Sequence, residues 1–344
     1  MNQKQVNTFM RILKFSEAIR EAQAQCLEDP SVFLIGEGVG DPKNIFGTTM
    51  GLKEKFPDRV FDMPISENGV TGVCIGAAIN GFRPILVHQR IDFSLYSADQ
   101  LINNAAKWYS MFGGQKSVPL VVRMIVGRGW GQGNQHSQNL TALYAHVPGL
   151  KIVVPSNAYD AKGLFISAVE DPNPVLFIEH RWLYETTSHV PEEKYRVELG
   201  KPGLMLNEAS EAMIISNGHA TLEAKKAIEF LKQKNIHIDH VDLRSINPMG
   251  TIPITAHKIL IVIDEWEVGG ISAHLMARLY EVQDPHNQLT VRRITYPGYP
   301  SASSPALTKN YYPTARKICK FFDVEMPENK TPHDVPDLSF RGPF

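Results

Sequence analysis

Only three cysteines occur in 344 residues, at positions 26, 74 and 319. They are scattered, odd in number and free of any CxxC spacing. That excludes a disulfide framework or zinc knuckle and fits reduced, packed thiols in a reducing compartment. No HExxH and no clustered His/Cys set is present, so a transition-metal centre is not expected. No apolar run approaches the roughly 20 residues of a membrane span. The opening stretch, MNQKQVNTFMRILKF, has neither the long apolar core nor the small-residue cleavage site of a secretory leader, so a cytoplasmic chain is expected. An excess of one charge is missing too. With 35 basic and 36 acidic side chains the net charge is −1, which advertises neither nucleic acid nor an anionic membrane as a partner.

What is there reads as an ordinary globular chain, 43% hydrophobic and 21% charged, long enough for two domains with a core each. Residues 16–27 form an amphipathic helix pattern, with Ile19, Ala22 and Cys26 on one face and Glu17, Arg20 and Glu21 on the other. SVFLIGEGVG, 31–40, is a buried strand opening into a glycine turn that lacks the full dinucleotide fingerprint. Glu37 stands at its end, a usual place for ligands in α/β sheets. A strand at 84–88, a helix at 99–111, a β-branched strand at 117–127, a helix at 140–146, a strand at 150–154, a helix at 158–169 and a strand at 175–179 follow. This alternation predicts a largely parallel, doubly wound α/β sheet with helices on both faces. From 183 to 208 the composition turns polar, as a linker with a short hairpin would. A second α/β unit then repeats the pattern, with strands at 212–218, 237–243, 258–265 and 291–298 and helices at 221–234 and 272–280. The expected division is a domain at 1–190, a linker at 191–208, a domain at 209–326 and an irregular tail at 327–344.

Three places carry chemistry. RVFDMPISENG, 59–69, sets Glu67 on a strand-to-helix turn ahead of the small-residue run GVTGVCIGAAINGFRP. A carboxyl in a dry interface has a raised pKa and can share a proton with a ligand nitrogen; an acid in the same place can equally cap or salt-bridge the next helix. His88, Gln89, Arg90 and Asp92 cluster where strand 84–88 runs out, with Phe93 beside them as either core or stacking platform. In RGWGQGNQHSQN, the glycines 127, 129, 131 and 133 let backbone approach a ligand or partner closely. His136 at the mouth of that loop is either an acid or base titrating near neutrality or a helix cap.

At PISENG, DQLINNAAKWYSMFGG, QHSQ and PSNAYDAKGL, and later at VDLRSINPMG, DEWEVGGISAHL and YYPTARKI, the chain resembles the beta subunit of the thiamin-diphosphate-dependent 2-oxo acid dehydrogenase first component, within the transketolase superfamily. The likeness covers residues 13–322. It implies a pyrimidine-binding α/β domain followed by a transketolase C-terminal-like α/β domain. Glu67 matches the acid that hydrogen-bonds N1′ of the cofactor's aminopyrimidine ring, which drives the 4′-amino group to the imino tautomer that takes the thiazolium C2 proton. Phe93 matches the aromatic packed on that ring, and His136 the histidine that relays protons during acyl transfer. Glu37 matches an acid on the cofactor side, although the second acid that usually follows is Gly38 here. Leu120, Ala168, Asp171 and Asn173 match a potassium site built largely from backbone carbonyls.

The resemblance also implies what another chain must supply. The magnesium-diphosphate motif, a GDG followed by an Asn pair, belongs to the alpha subunit and has no counterpart here. The expected assembly is a heterotetramer of two alpha and two beta chains, with the cofactor at each interface and 69–81 as subunit contact. The implied reaction is decarboxylation of a 2-oxo acid with acyl transfer to the lipoamide of a dihydrolipoyl acyltransferase. The alternative is a split transketolase- or synthase-like enzyme passing an acyl or two-carbon unit to an aldehyde. Usual members are largely apolar where this chain reads HQRID. His88 and Arg90 add donors there, and a guanidinium suits a carboxylate or phosphate, so a more polar or acidic substrate is expected.

Overall fold

The computed structural model describes residues 10–327 apart from 43, 129–131, 284–287 and 309. The tail beyond 327, and Gly129 and Gly131 of the glycine-rich loop, therefore lie outside the described residues. In the first half, β1 (Met10–Lys14), α1 (Phe15–Cys26), β2 (Val32–Gly36), α2 (Leu52–Lys55), β3 (Val60–Asp62), α3 (Glu67–Ile79), β4 (Arg83–His88), α4 (Trp108–Met111), β5 (Val121–Val126), α5 (Thr141–Ala145), β6 (Lys151–Val153), α6 (Ala158–Glu170), β7 (Val175–His180) and β8 (Thr187–Pro191) succeed one another. The second half comprises β9 (Gly203–Met205), β10 (Ala212–Ser216), α7 (Gly218–Lys232), β11 (Ile238–Asp242), β12 (Ser245–Asn247), β13 (Lys258–Trp266), α8 (Ile271–Val282), β14 (Thr290–Tyr296), α9 (Pro305–Thr308) and α10 (Ala315–Phe321).

Among the described residues, the strands form a seven-stranded sheet ordered β12-β6-β7-β5-β4-β2-β3, a five-stranded sheet ordered β14-β13-β10-β11-β9, and the pair β1-β8. Both large sheets are parallel except at one edge, where β12 and β9 run antiparallel to their neighbours. β5 and β7 are buried along their whole length, which is why VVRMIV and VLFIEH read as near-continuous apolar runs. From β2 the chain passes to β3 on one side and returns to β4 on the other, so the sheet reverses direction between β2 and β4. Ligands of open α/β sheets bind outside the carboxyl ends of the strands at such a point.

Three features depart from the sequence expectation. The helix expected at 99–111 is broken. A 3-10 turn (Ile91–Ser97) leads to a π-helical turn (Gln100–Ala105), where Ala106 N donates to Leu101 O, and only then to the short α4. Apolar spacing along the chain does not distinguish a π turn from an α turn. Segment 183–208 is anchored and forms no hairpin of its own: β8 pairs with β1, Val197 is buried, and β9 pairs with β11. Finally, β12 lies within the second half in sequence but completes the first sheet by pairing with β6. One apolar cluster follows the same route, running from Leu86, Val122 and Ile152 to Met213, Val241 and Ile259.

A buried ion pair ties three segments to the other face of the first sheet. Arg123 on β5 and Glu179 on β7 are fully buried and bond in two-pronged fashion, Nε to Oε1 at 2.6 Å and Nη2 to Oε2 at 3.0 Å. Arg123 also donates to Gln23 Oε1 at 2.9 Å and Thr48 Oγ1 at 2.8 Å, while Tyr184 donates its hydroxyl to Glu179 at 2.8 Å.

Candidate functional site

The carboxyl ends of β2 to β5 bring the sequence candidates to one edge. Glu37 follows β2 immediately. Its Oε1 is buried without a hydrogen-bond partner among the described residues, and its pKa is pushed up to about 7 by burial first, then by Glu67 and Asp62. The two glutamates are therefore electrostatic neighbours, as like charges sharing a site are. Gly38 explains why no second acid follows: its φ is +68°, and a Cβ there would meet Asp41 Oδ2 at 2.6 Å and Gln89 Nε2 at 2.8 Å. Its amide instead donates to Asp62 Oδ1 at 2.7 Å, and Gln89 Nε2 donates to Glu37 O at 2.9 Å, which ties the end of β4 to that of β2.

Glu67 opens α3 and is only 8% exposed. Among the described residues its carboxylate neither caps a helix nor pairs with a cation; the positive end of α3 lies beside it. Apolar side chains stand exposed on the same stretch, Ile65 at 85% and Val73 at 64%, and Asn68 Nδ2 donates to the carbonyl of Tyr96, itself 70% exposed, at 3.1 Å.

Phe93 and His136 meet edge to face, ring centroids 5.3 Å apart. The helix-cap alternative for His136 is taken by another residue: Asn139 Oδ1 accepts from Thr141 N at 3.1 Å and Thr141 Oγ1 at 2.6 Å. His136 is left half-buried, its Nδ1 without a partner among the described residues. Gln138, two residues on, donates from its side chain to Asp92 Oδ1 at 2.9 Å, so the histidine segment is strapped to the turn that carries Phe93.

His88 and Arg90 separate. His88 is buried and bonds Ser97 Oγ at 3.1 Å, and burial pulls its pKa down to about 4, so its ring is neutral and serves the packing under the turn. Arg90 is buried as well, but no carboxylate lies within ion-pair distance among the described residues. Its Nη2 donates to Gln132 Oε1 at 2.6 Å, its Nε has no partner among the described residues, and its guanidinium lies 5.6 Å from the Phe46 ring, which Arg181 also faces at 3.7 Å. Burial, then Arg90, lowers the Arg181 pKa to about 10.

The potassium candidates gather where α6 ends. Ala168 lies four residues before Pro172, whose nitrogen has no hydrogen to give, so its carbonyl keeps no α-helical bond. Arg83 Nη1 donates to Val169 O at 2.7 Å and Asp171 O at 3.2 Å, and Lys151 Nζ bonds Asp171 Oδ2 at 2.5 Å. Leu120 O accepts from Val175 N at 2.9 Å, and Asn173 N donates to Asp171 Oδ1 at 2.9 Å.

A second polar cluster was not visible in the sequence. Arg128, His180, His219 and Asp264 are all buried together between the two halves. His180 ends β7, Asp264 interrupts β13 and Arg128 follows β5 by two residues, and a polar residue closing an apolar run is a signal that could have found these three; His219, in the first turn of α7, left none.

Two family models match in tandem: the transketolase pyrimidine-binding domain over residues 13–187 and the transketolase C-terminal domain over 202–318. The acetoin:2,6-dichlorophenolindophenol oxidoreductase subunit beta of Cupriavidus necator is 36% identical over 324 residues, covering 90% of this chain and 96% of that one. The pyruvate dehydrogenase E1 component subunit beta of Rickettsia felis is 38% identical over 266 residues, 75% of this chain and 81% of that one. A solved split-gene transketolase, described as an inactive beta4 tetramer, shares the fold with a TM-score of 0.72 at 21% identity, covering 90% and 96% of the two chains. The chain belongs to the transketolase-type family of two-domain beta subunits that includes those of pyruvate dehydrogenase E1 and acetoin oxidoreductase.

Proposed function

We propose that this chain, with an alpha subunit, decarboxylates a 2-oxo acid with thiamin diphosphate and passes the acyl group to the lipoamide of a dihydrolipoyl acyltransferase. The observation that supports the reading is that the Glu37–Glu67 pair and the Phe93–His136 pair both lie beyond the carboxyl ends of β2 to β5, with Glu37 Oε1 and His136 Nδ1 buried and without a partner among the described residues. When bound, thiamin diphosphate would supply an acidic thiazolium carbon which, once its proton is removed, is a nucleophile toward a keto group.

Glu67 would hold N1′ of the aminopyrimidine ring by a hydrogen bond, and Phe93 would flank that ring. Burial first, then the neighbouring Glu67, raises the Glu37 pKa to about 7, so Glu37 keeps its proton up to near neutrality. His136, freed from capping by Asn139, gives or takes a proton at the reacting oxygen through its imidazole. The alpha chain holds the diphosphate and Mg²⁺, and the apolar rim of Ile65, Val73 and Tyr96 is the ground on which it docks, in a heterotetramer of two alpha and two beta chains. A potassium ion held at Leu120, Ala168, Asp171 and Asn173 belongs to the same proposal; the freed carbonyl of Ala168 supports it, while Arg83, which donates to Asp171 O, competes with it. So does the domain division at about 190–208. Three buried, unpaired cysteines support a reducing, cytoplasmic setting, and among the described residues no helix is long and apolar enough to cross a membrane.

Arg90 supports a 2-oxo acid with a second polar or anionic group, because its guanidinium is buried beside the site with a donor to spare. The test is co-expression with the alpha chain, followed by decarboxylation assays with a dye acceptor, a lipoyl domain and an aldehyde. Lipoyl acylation supports the proposal; dye reduction with transfer only to aldehydes favours the split transketolase-like reaction. Glu67→Gln is expected to abolish C2 proton exchange while cofactor still binds, and exchange near the unaltered rate would overturn the role given to Glu67.

A further inference from the structure

The segment carrying His136 is held at both flanks by one residue of the second half. On the near side, Arg128 Nη1 lies 3.4 Å from Asp264 Oδ1, and Arg128 Nη2 lies 3.1 Å from His219 Nδ1, itself 3.2 Å from Asp264 Oδ2. On the far side, Asn139 Nδ2 donates to the backbone carbonyl of the same Asp264 at 2.5 Å. Arg128 is boxed in further by Tyr312 at 3.8 Å and Trp182 at 5.5 Å, and Trp182 Nε1 donates to Arg128 O at 2.9 Å. Burial alone would raise the Asp264 carboxyl; Arg128 and His219 outweigh it and hold the group well below the usual carboxylate range.

His180, His219 and Asp264 offer ligand atoms within 4.8 Å of one another, and the stacked rings of the two histidines are 4.7 Å apart. The spacing resembles a metal site, but the Arg128 guanidinium already faces both His219 and Asp264. A metal cation would meet a positive charge there. The charges balance as they stand, Arg128 against Asp264 at 3.4 Å, so the cluster is an ion-pair contact between Arg128 and the second half.

We propose that Asp264 is a positioning residue for His136, gripping Arg128 through its carboxylate and Asn139 through its carbonyl, so that the second domain sets where the histidine sits against Phe93. This rests on His136 handling protons in acyl transfer, as proposed above. The Asn139 anchor lies three residues from His136 and restricts where its ring sits, and misplacement by about an ångström of a group in the reacting geometry costs up to about 100-fold in rate. The second domain then has a part in the chemistry without touching substrate.

The test uses the alpha–beta complex with Asn139→Asp and Asp264→Asn. Asn139→Asp keeps the oxygen that serves Thr141 at the start of α5, while replacing the donor to Asp264 O by a carboxylate oxygen that this carbonyl repels, and it provides a second variant if Asp264→Asn fails to fold. Hydrogen exchange of peptides spanning 132–140 is expected to rise at least about tenfold in either variant, with β10 and α8 unchanged, on the scale by which local opening is read. The kcat for lipoyl acylation should fall about tenfold with KM for the 2-oxo acid and the C2 exchange rate unaltered, as loss of an interaction made only in the transition state does. Added to His136→Ala, Asn139→Asp should cost nothing more. Unchanged exchange over 132–140, exchange raised equally through β10 and α8, or losses additive with His136→Ala would each overturn the proposal. The exchange result stands without turnover, so a complex that fails to decarboxylate would refute the functional reading and leave the grip itself still tested.

Discussion

Replacing Glu179 with Gln should be among the most damaging conservative changes available to this chain. Both members of the Arg123–Glu179 pair are fully buried, and Arg123 spends its donors on Glu179, Gln23 and Thr48. Burial opposes the charge on Arg123, but Glu179 more than offsets it, and the guanidinium stays protonated. With Glu179 neutral the cation remains inside and uncompensated, a situation that costs about 3–5 kcal/mol. Taking an m-value of about 3 kcal/mol/M, as suits a chain of this length, the urea midpoint should drop by about 1–2 M. Arg123→Met should cost a similar amount by stranding the carboxylate. Because each single change already forfeits the pair, the double variant should cost scarcely more than either, giving a coupling energy of at least about 2 kcal/mol in a double-mutant cycle. The measurement is urea unfolding of the four proteins of the cycle. A Glu179→Gln penalty below about 1 kcal/mol, or penalties that add within about 0.5 kcal/mol, would refute the reasoning. The consequence reaches the site, because Thr48 sits two residues from Phe46, whose ring Arg90 and Arg181 face.

Three further outcomes are expected. Glu37 has a folded pKa of about 7 against an ordinary 4.5, so its contribution to stability is complete below about pH 4.5 and is lost as pH rises toward 7. The stability difference between the unaltered chain and Glu37→Gln should therefore vary across that window, modestly because the group keeps contact with water; parallel curves would contradict the shift, and Glu67→Gln should move the Glu37 titration to lower pH. Arg90→Ala should shift preference from a 2-oxo acid bearing a second anionic group toward a simple aliphatic one, read as the ratio of kcat/KM values, and an unchanged ratio would remove Arg90 from specificity. Gly149→Ala would set a Cβ 2.0 Å from Ala106 O at a φ of +101°, so thermal or urea unfolding should show a loss of about 3 kcal/mol, and a loss under about 1 kcal/mol would mean that the backbone there yields easily.

The alternation of strand and helix was legible because buried parallel strands leave apolar runs of five or six residues, and β2, β4, β5, β7, β10 and β13 all fall where the runs are. PISENG and QHSQ pointed to Glu67 and His136 because local turns place both. What escaped was whatever two distant segments make together. The sequence around Asn139 does not reveal that the cap of α5 is Asn139 and not His136, since either polar side chain lies close enough to the helix start. His88 and Arg90 are two residues apart on a strand end and looked equivalent; burial against Ser97 took one out of the site and left the other with an unused donor. The polar run after Leu183 read as linker because edge strands as short as β9 carry too few residues to show a period.

β12 has a consequence for how the chain can be cut. The two family segments, 13–187 and 202–318, are separable on paper. Yet a chain ending near Gly200 would leave β6 as a bare edge, strip Met213, Val241 and Ile259 from the face they share with Ile152, and present both to other molecules. Protease nicking or gene fission between the halves is therefore tolerable only if the pieces find each other again, and denaturation of the intact chain should proceed as one event. The two family segments share one sheet edge through β12 and one apolar cluster, so each leaves the other incomplete.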